Sequence, residues 1–195
     1  MTTIPAQCEQ TLSAFPNKAA IFHGSESLTF RQLHAEVAAS AQALASLGVL
    51  PGDRVGICMQ KTLDQVFTIL GVLWANAILV PIHPVHRADQ IGHVVNDCDM
   101  KLLITESARI AELRDAARGR SVLGRGPEEH GIASVVNLRR ECPGSEPFFR
   151  GKADSAAASI YASAATARAK GIELPQPAPG GGAAGVAGEP PARAR

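Results

Sequence analysis

Hydrophobic residues recur at intervals of three and four through residues 29–48, which is the spacing of one face of an α-helix. Thr29 stands three residues before Gln32, a pair that can satisfy two free backbone donors at a helix start. The pattern predicts a helix that begins after Thr29 and ends near Gly48. Its apolar face comprises Leu33, Val37, Ala41, Leu44 and Ala45.

Three more helices follow from similar patterns. Thr62 and Gln65 repeat the capping pair, and the apolar face after them comprises Leu63, Val66, Phe67, Leu70, Leu73 and Trp74. Residues 88–95 are also predicted to be helical. We expect Ser107 to cap a further helix that extends to Arg118.

Short apolar runs between these helices predict strands at residues 54–59, 79–82 and 101–105. Two further short strands, at residues 19–22 and 27–29, flank a turn and are typical of a β-hairpin. The alternation of strands and helices predicts an α/β fold with a mainly parallel sheet and helices on its faces.

The composition changes along the chain. Residues 119–152 have no clear period and are expected to be rich in loops, whereas residues 153–169 contain nine alanines, which favour a helix. From position 175 to the end, 16 of 21 residues are Ala, Gly or Pro, so we expect a disordered tail. The sequence therefore predicts one partial domain over residues 1–174 and a tail over 175–195.

The charge and the aromatic content exclude several function classes. A formal net charge of +1 argues against a protein that binds nucleic acid or anionic membranes through a strongly basic surface. Only 4% of the residues are aromatic, so few side chains could stack on nucleic-acid bases. No apolar run is long enough for a transmembrane segment, and the first residues do not resemble a secretory leader, so we expect a cytoplasmic protein.

The metal-ligating residue types do not form a recognisable ligand set. The four cysteines lie far apart, without a Cys-x-x-Cys pair, and are interpreted as buried free thiols. His83, His86 and His93 lie near one another in sequence, but no cysteine or acidic cluster completes a site. Solvated or hydrogen-bonded imidazoles are favoured over a metal centre.

Several segments, in this order, resemble the N-terminal part of the adenylate-forming enzymes, the AMP-binding superfamily of acyl-CoA synthetases, nonribosomal adenylation domains and luciferases. They are PNKAA at 16–20, LTFRQL at 28–33, LGV and PGDRV within 47–55, WANAILVPIHP at 74–84 and KLLIT at 101–105. The resemblance covers about residues 12–174. Lys61, the turn at 84–87 and residues 93–98 are similar to acyl-CoA ligases associated with exosortase systems.

The resemblance also implies a loop that wraps the phosphates of ATP. The sequence YASAATARAKG at 161–171 stands where the family has YTSGSTGxPKG. Residues with the expected types are Ser163, Thr166, Lys170 and Gly171, which the resemblance implies as ATP contacts through hydroxyls and charge. Where the family usually has Gly, Ser, Gly and Pro, this sequence has Ala164, Ala165, Ala167 and Ala169.

These alanines weaken the expected phosphate loop. Backbone N–H groups that turn inward around a phosphate require positive φ angles and close approach, which glycine permits and alanine resists. If Ala164 and Ala167 both need a left-handed conformation, the cost is about 2–4 kcal/mol. The alternative is an Ala-rich helix over residues 153–170, with Arg168 and Lys170 solvated at its C-terminal end.

The resemblance implies an AMP-forming acyl-CoA ligase, with ATP, Mg²⁺ and coenzyme A as cofactors and a carboxylic acid as substrate. The family pattern stops after Leu174, so we expect this chain to be inactive alone, and a shifted reading frame is our hypothesis for the tail. One alternative is a non-catalytic α/β interaction module that associates through an exposed sheet edge. A weaker alternative is a stand-alone nucleotide-binding protein.

Overall fold

A computed structural model describes residues 3–128, 131–143, 155–161 and 171–175 of the chain. The helices are α1 (Ile4–Ala14), α2 (Phe30–Ser46), α3 (Leu63–Trp74), α4 (Ala88–Asp97), α5 (Ile110–Ala116) and α6 (Val135–Glu141). The strands are β1 (Ala19–His23), β2 (Glu26–Thr29), β3 (Arg54–Cys58), β4 (Ile78–Pro81), β5 (Leu102–Glu106), β6 (Ser121–Arg125), β7 (Ala156–Tyr161) and β8 (Gly171–Pro175).

Six strands form the main sheet in the order β6-β5-β3-β4-β7-β8. Strands β3 to β7 pair in parallel with their neighbours, and only β8 runs antiparallel, along β7. Strands β1 and β2 form a separate antiparallel hairpin. The predicted α/β fold with a mainly parallel sheet is therefore confirmed.

Local signals place the ends of the second helix as predicted. The Thr29 hydroxyl accepts from the Gln32 backbone N–H at 3.3 Å, and the Gln32 side chain accepts from the Thr29 N–H at 2.9 Å. At the other end Gly48 has φ of +77°, and its N–H donates to Ala45. Gly48 fits there because a left-handed residue with a Cβ is disfavoured.

The sheet separates two hydrophobic clusters. On one face, Val55, Ile57, Leu102 and Ile104 pack with residues of α2, α3 and α6. Strand residues whose side chains point to the opposite face, such as Val80 and Leu103, pack there with residues of α4 and α5. Alternate residues of each parallel strand are therefore buried on opposite faces, as expected for a sheet covered by helices.

Gly56 shows how tightly the second face is packed. A Cβ at this position would lie 2.5 Å from the sulfur of Met100, closer than two such atoms can approach. Glycine is therefore required here for space, because Met100 is itself fully buried and fills the volume above β3.

The structure corrects three predictions about secondary structure. Residues 119–152, expected to be loop-rich, contain strand β6 and helix α6. Ser107 does not cap a helix: it begins a 3₁₀ turn, and its hydroxyl donates to the carbonyl of Pro127 at 3.0 Å. The alanines at 156–158 lie in strand β7, and not in a helix, because β4 and β8 supply backbone partners on both sides.

The first helix and the last strand of the described residues also differ from the prediction. Helix α1 was not anticipated, although Thr3 caps it by accepting from the Ala6 N–H at 3.3 Å. Strand β8 includes Pro175, the first residue of the predicted tail, and residues 176–195 lie outside the described residues. Among the helices of the described ranges, none has both the length and the apolarity needed to cross a bilayer.

Candidate functional site

The candidate site is at the hairpin formed by β7 and β8. Strand β7 joins the parallel sheet beside β4, with Ala158 opposite Leu79. Tyr161 and Gly171 are cross-strand partners at the end of the hairpin where residues 162–170 connect the two strands. Residues 162–170 therefore connect two paired neighbours, and the predicted phosphate loop begins and ends at adjacent backbone positions.

Most of the predicted contacts lie between those two positions. Ser163, Thr166 and Lys170 are outside the described residues, as are the replacements Ala164, Ala165, Ala167 and Ala169. Of the predicted site residues, only Gly171 is described, as the first residue of β8. The ATP contacts implied by the resemblance therefore stay predictions.

Gly171 packs closely against two side chains of β7. A Cβ there would lie 2.7 Å from the Ser159 hydroxyl oxygen and 3.0 Å from both Cζ and the hydroxyl oxygen of Tyr161. A larger residue would have to displace the Tyr161 ring or the Ser159 side chain. Glycine at this position therefore lets the two side chains of β7 keep their places against β8.

The side chain of Tyr161 extends from the hairpin to helix α4. Its hydroxyl donates to Oδ2 of Asp97 at 2.7 Å, and its ring packs against the hydrophobic cluster on the α4 face of the sheet. Burial raises the pKa of the Tyr161 hydroxyl, and its hydrogen bond to Asp97 raises that pKa further. The hydroxyl therefore stays protonated and acts as a donor throughout the physiological pH range.

Sequence reasoning missed Asp97, because an aspartate at a helix end beside Cys98 and Asp99 is typical of solvated surface. Tyr161 is 64 residues away in the chain, and no spacing rule relates such positions. Burial raises the pKa of the neighbouring Cys98 thiol, an effect opposed by hydrogen bonding to Tyr161 and by the charge of Arg54. Cys98 is therefore a protonated neighbour of the contact at neutral pH.

One face of the hairpin carries exposed apolar side chains. Ile160, Ile172 and Leu174 are 39%, 58% and 41% exposed, and Ile160 pairs directly with Ile172. All five residues of β8 are exposed, and β8 forms one edge of the main sheet. We call Ile160, Ile172 and Leu174 the hairpin apolar patch.

A chain of alternating charges lies at the carboxyl ends of the strands. Arg125, at the end of β6, contacts Glu106 at 2.8 Å and Asp64 at 3.7 Å. Arg139 of helix α6 contacts Asp64 at 2.6 Å and Glu36 at 2.8 Å. These ion pairs connect β5, β6, α2, α3 and α6.

Arg139 corrects an interpretation made from the sequence. The pair at 139–140 looks like a small basic cluster on a solvated loop. In the structure Arg139 is only 7% exposed, and its guanidinium carbon lies 5.0 Å from the centre of the Phe67 ring. Only Arg140 is exposed, so two adjacent arginines have different environments.

Two of the histidines lie near each other, and the four cysteines are free thiols. The ring nitrogen Nδ1 of His83 accepts from the Val85 N–H at 3.3 Å, and the rings of His83 and His86 are 6.1 Å apart. Cys58 is buried, whereas the other three thiols are half-buried, and none is in a disulfide. Within the described ranges no three His, Cys, Asp or Glu side chains are placed to hold a metal ion.

Comparison with known proteins places this fold in a defined class. A family model described as AMP-binding enzyme matches residues 8–178. The anthranilate CoA ligase AuaEII, solved in complex with anthranoyl-AMP, is 25% identical, with a TM-score of 0.80 over 89% of this chain. ATP-bound MatB from Rhodopseudomonas palustris has the same fold, with 22% identity and a TM-score of 0.80 over 90% of this chain.

A nonribosomal peptide synthetase of Salinispora arenicola is 30% identical over 168 residues, or 86% of this chain. The fold therefore matches the N-terminal part of the adenylate-forming enzyme fold. The chain belongs to the AMP-binding enzyme family. It spans 35% of the length of each of the two solved relatives and 2% of the synthetase.

Proposed function

We propose that this chain carries the ATP-phosphate hairpin of an adenylate-forming ligase that activates a carboxylic acid. The observation that supports the proposal most directly is the pairing of Tyr161 with Gly171, which brings together the two ends of the segment carrying Ser163, Thr166 and Lys170. Successive backbone N–H groups in a turn conformation can form a concave site for a phosphate. Family membership supplies the reaction class.

The residues of the segment suit the phosphates of ATP in part. Lys170 would supply charge, and Ser163 and Thr166 would supply hydroxyl donors. In the reaction of the class, a carboxylate oxygen bonds to the α-phosphorus of ATP, and the bond to the leaving pyrophosphate breaks. The alanines at 164 and 167 oppose a tight cradle, so we propose weak binding and no turnover by the 195-residue chain alone.

Calorimetric titration of the full chain with Mg-ATP tests this proposal. We expect the double variant Ala164→Gly with Ala167→Gly to bind at least about 30-fold more tightly than the wild-type chain, because relief of about 2–4 kcal/mol of backbone strain corresponds to that change. Ala165→Gly is the matched control, since the family has serine there, and it should change the affinity little.

The outcomes separate the parts of the proposal. If neither the wild type nor the double variant binds at millimolar Mg-ATP, the phosphate-hairpin assignment is wrong. If both bind equally well, the alanines do not weaken the loop. Acid-dependent exchange of labelled pyrophosphate into ATP by the 195-residue chain would show that it is active alone.

The acceptor of the acyl group is a finer proposal. Solved relatives include CoA ligases, and curated relatives include nonribosomal peptide synthetases, so the family permits more than one acceptor. We propose an acyl-CoA ligase, because Lys61, residues 84–87 and residues 93–98 are similar to acyl-CoA ligases associated with exosortase systems. Formation of acyl-CoA from a fatty acid by a complete enzyme carrying these residues would support it.

A second candidate is a non-catalytic interaction module, which is favoured by the hairpin apolar patch on the edge strand β8. An uncovered strand edge with apolar side chains can pair with another chain. A stand-alone nucleotide-binding protein is the third candidate. Binding of Mg-ATP without pyrophosphate exchange would distinguish it from the ligase, and loss of nucleotide binding without loss of self-association would favour the module.

A further inference from the structure

We propose that Asp97 is a positioning residue for the phosphate hairpin, because it holds the Tyr161 side chain across Gly171. The proposal rests on the proposed function and adds a residue outside the segment that would contact ATP. Asp97 lies at the C-terminal end of α4, and Tyr161 is the last residue of β7. The 2.7 Å hydrogen bond between them joins the hairpin to a helix on the face of the sheet.

The Tyr161 ring is the contact at which three elements meet. It comes from β7, its hydroxyl bonds to α4, and its Cζ and hydroxyl oxygen would lie only 3.0 Å from a Cβ at Gly171 of β8. A rotation of this ring would change its packing against Gly171. The hydrogen bond to Asp97 therefore restrains both ends of the segment at 162–170.

The chemistry of the pair suits this role. The Tyr161 hydroxyl donates directly to a carboxylate oxygen of Asp97, at 2.7 Å. A hydroxyl that donates to a carboxylate makes a shorter and stronger bond than a neutral pair does. Cys98 and Asp97 are the titratable groups that face the Tyr161 hydroxyl, and both disfavour its ionisation.

Two variants of the full chain test the contact, with a matched control on the same helix. Asp97→Asn keeps the shape and removes the charge, whereas Tyr161→Phe keeps the ring and removes the donor. Asp89→Asn is the control, because Asp89 is also an exposed aspartate of α4 and its carboxylate lies 3.5 Å from the exposed Arg87. Thermal unfolding and near-ultraviolet circular dichroism verify that each variant is folded.

The first measurement uses the fact that Tyr161 is the only tyrosine of the chain. Ultraviolet absorbance reports its ionisation directly. In the wild type and in Asp89→Asn, we expect Tyr161 to ionise at a higher pH than an ordinary tyrosine, because burial and the hydrogen bond to Asp97 raise its pKa. In Asp97→Asn, we expect Tyr161 to ionise at a lower pH than it does in the wild type. Identical titration curves for Asp97→Asn and wild type would contradict the contact and overturn the proposal.

The second measurement is the Mg-ATP affinity, in the wild type or in the glycine-restored chain if only that chain binds. We expect Asp97→Asn and Tyr161→Phe each to weaken binding about 3- to 10-fold, the effect of one hydrogen bond, and Asp89→Asn to leave it unchanged. Binding by the parent with no loss in either variant overturns the positioning role alone. Absence of binding by both parent chains overturns the proposed function and this role with it.

Discussion

At the scale of single residues, the environment of a side chain separates residues that look equivalent in the sequence. Arg139 and Arg140 are adjacent, but Arg139 is buried between Glu36 and Asp64 and lies over Phe67. Removing one partner of a buried ion pair leaves the other charges unpaired, which costs more than the pair itself contributes. Glu36 is 43% exposed on its side chain, so water moderates this cost.

We expect Arg139→Met to destabilise the protein by about 2–3 kcal/mol, because Asp64 loses its shortest ion-pair contact while the apolar stem is retained. Urea unfolding monitored by Trp74 fluorescence measures the change. The control Arg140→Met should stay within about 0.5 kcal/mol of wild type, as exposed substitutions usually do. Equal effects of the two substitutions would show that burial does not separate these arginines.

At the scale of elements, short-range signals determine where helices begin and end. Thr29 and Gln32 form a reciprocal pair at the start of α2, as their spacing predicts. Such contacts involve residues within one turn, so the sequence alone is sufficient to predict them. Strand β7 differs: its alanines favour a helix locally, and pairing with distant strands determines its structure.

We expect Thr29→Ala to lower the free energy of unfolding by about 1 kcal/mol, because the Gln32 N–H loses its acceptor. Thr29→Ser keeps the hydroxyl and should retain most of the stability. Chemical denaturation of the three proteins under the same conditions measures the difference. If Ser and Ala have the same effect at this position, the hydroxyl does not contribute to capping.

At the scale of the whole molecule, the two edge strands of the main sheet have different surroundings. Strand β6 forms one edge, and it is followed by helix α6, which packs on the first hydrophobic cluster. Strand β8 forms the other edge, with the hairpin apolar patch exposed on it. An apolar edge strand of this kind is expected to associate with another polypeptide.

Ile172 is the most exposed residue of the hairpin apolar patch, so we expect Ile172→Lys to reduce self-association of the chain. Sedimentation velocity over a range of concentrations measures the distribution of species. Leu50→Lys is the control, because Leu50 is also an exposed apolar residue and lies before β3, away from the patch. A wild-type chain that stays monomeric at all concentrations would contradict the interaction-module candidate.

The sequence predicted much of the fold and only the outline of the site. Periodicity and capping pairs located α2, α3 and α4, and apolar runs located β3, β4 and β5, because each signal is carried by neighbouring residues. Strand β6 and helix α6 were missed, since their short segments lack a clear period. Asp97, the positioning residue that we propose, was missed because its partner Tyr161 is distant in the chain.

By itself, the sequence determined the α/β class and the family, because ordered motifs and local periodicity are properties of neighbouring residues. The segment that carries the candidate phosphate contacts stays a prediction. Only the tertiary structure decided that the alanines at 156–158 form a strand, that Arg139 is buried, and that Tyr161 crosses Gly171 to reach Asp97. These features depend on contacts between residues far apart in the chain, where packing and hydrogen-bond partners outweigh local propensity.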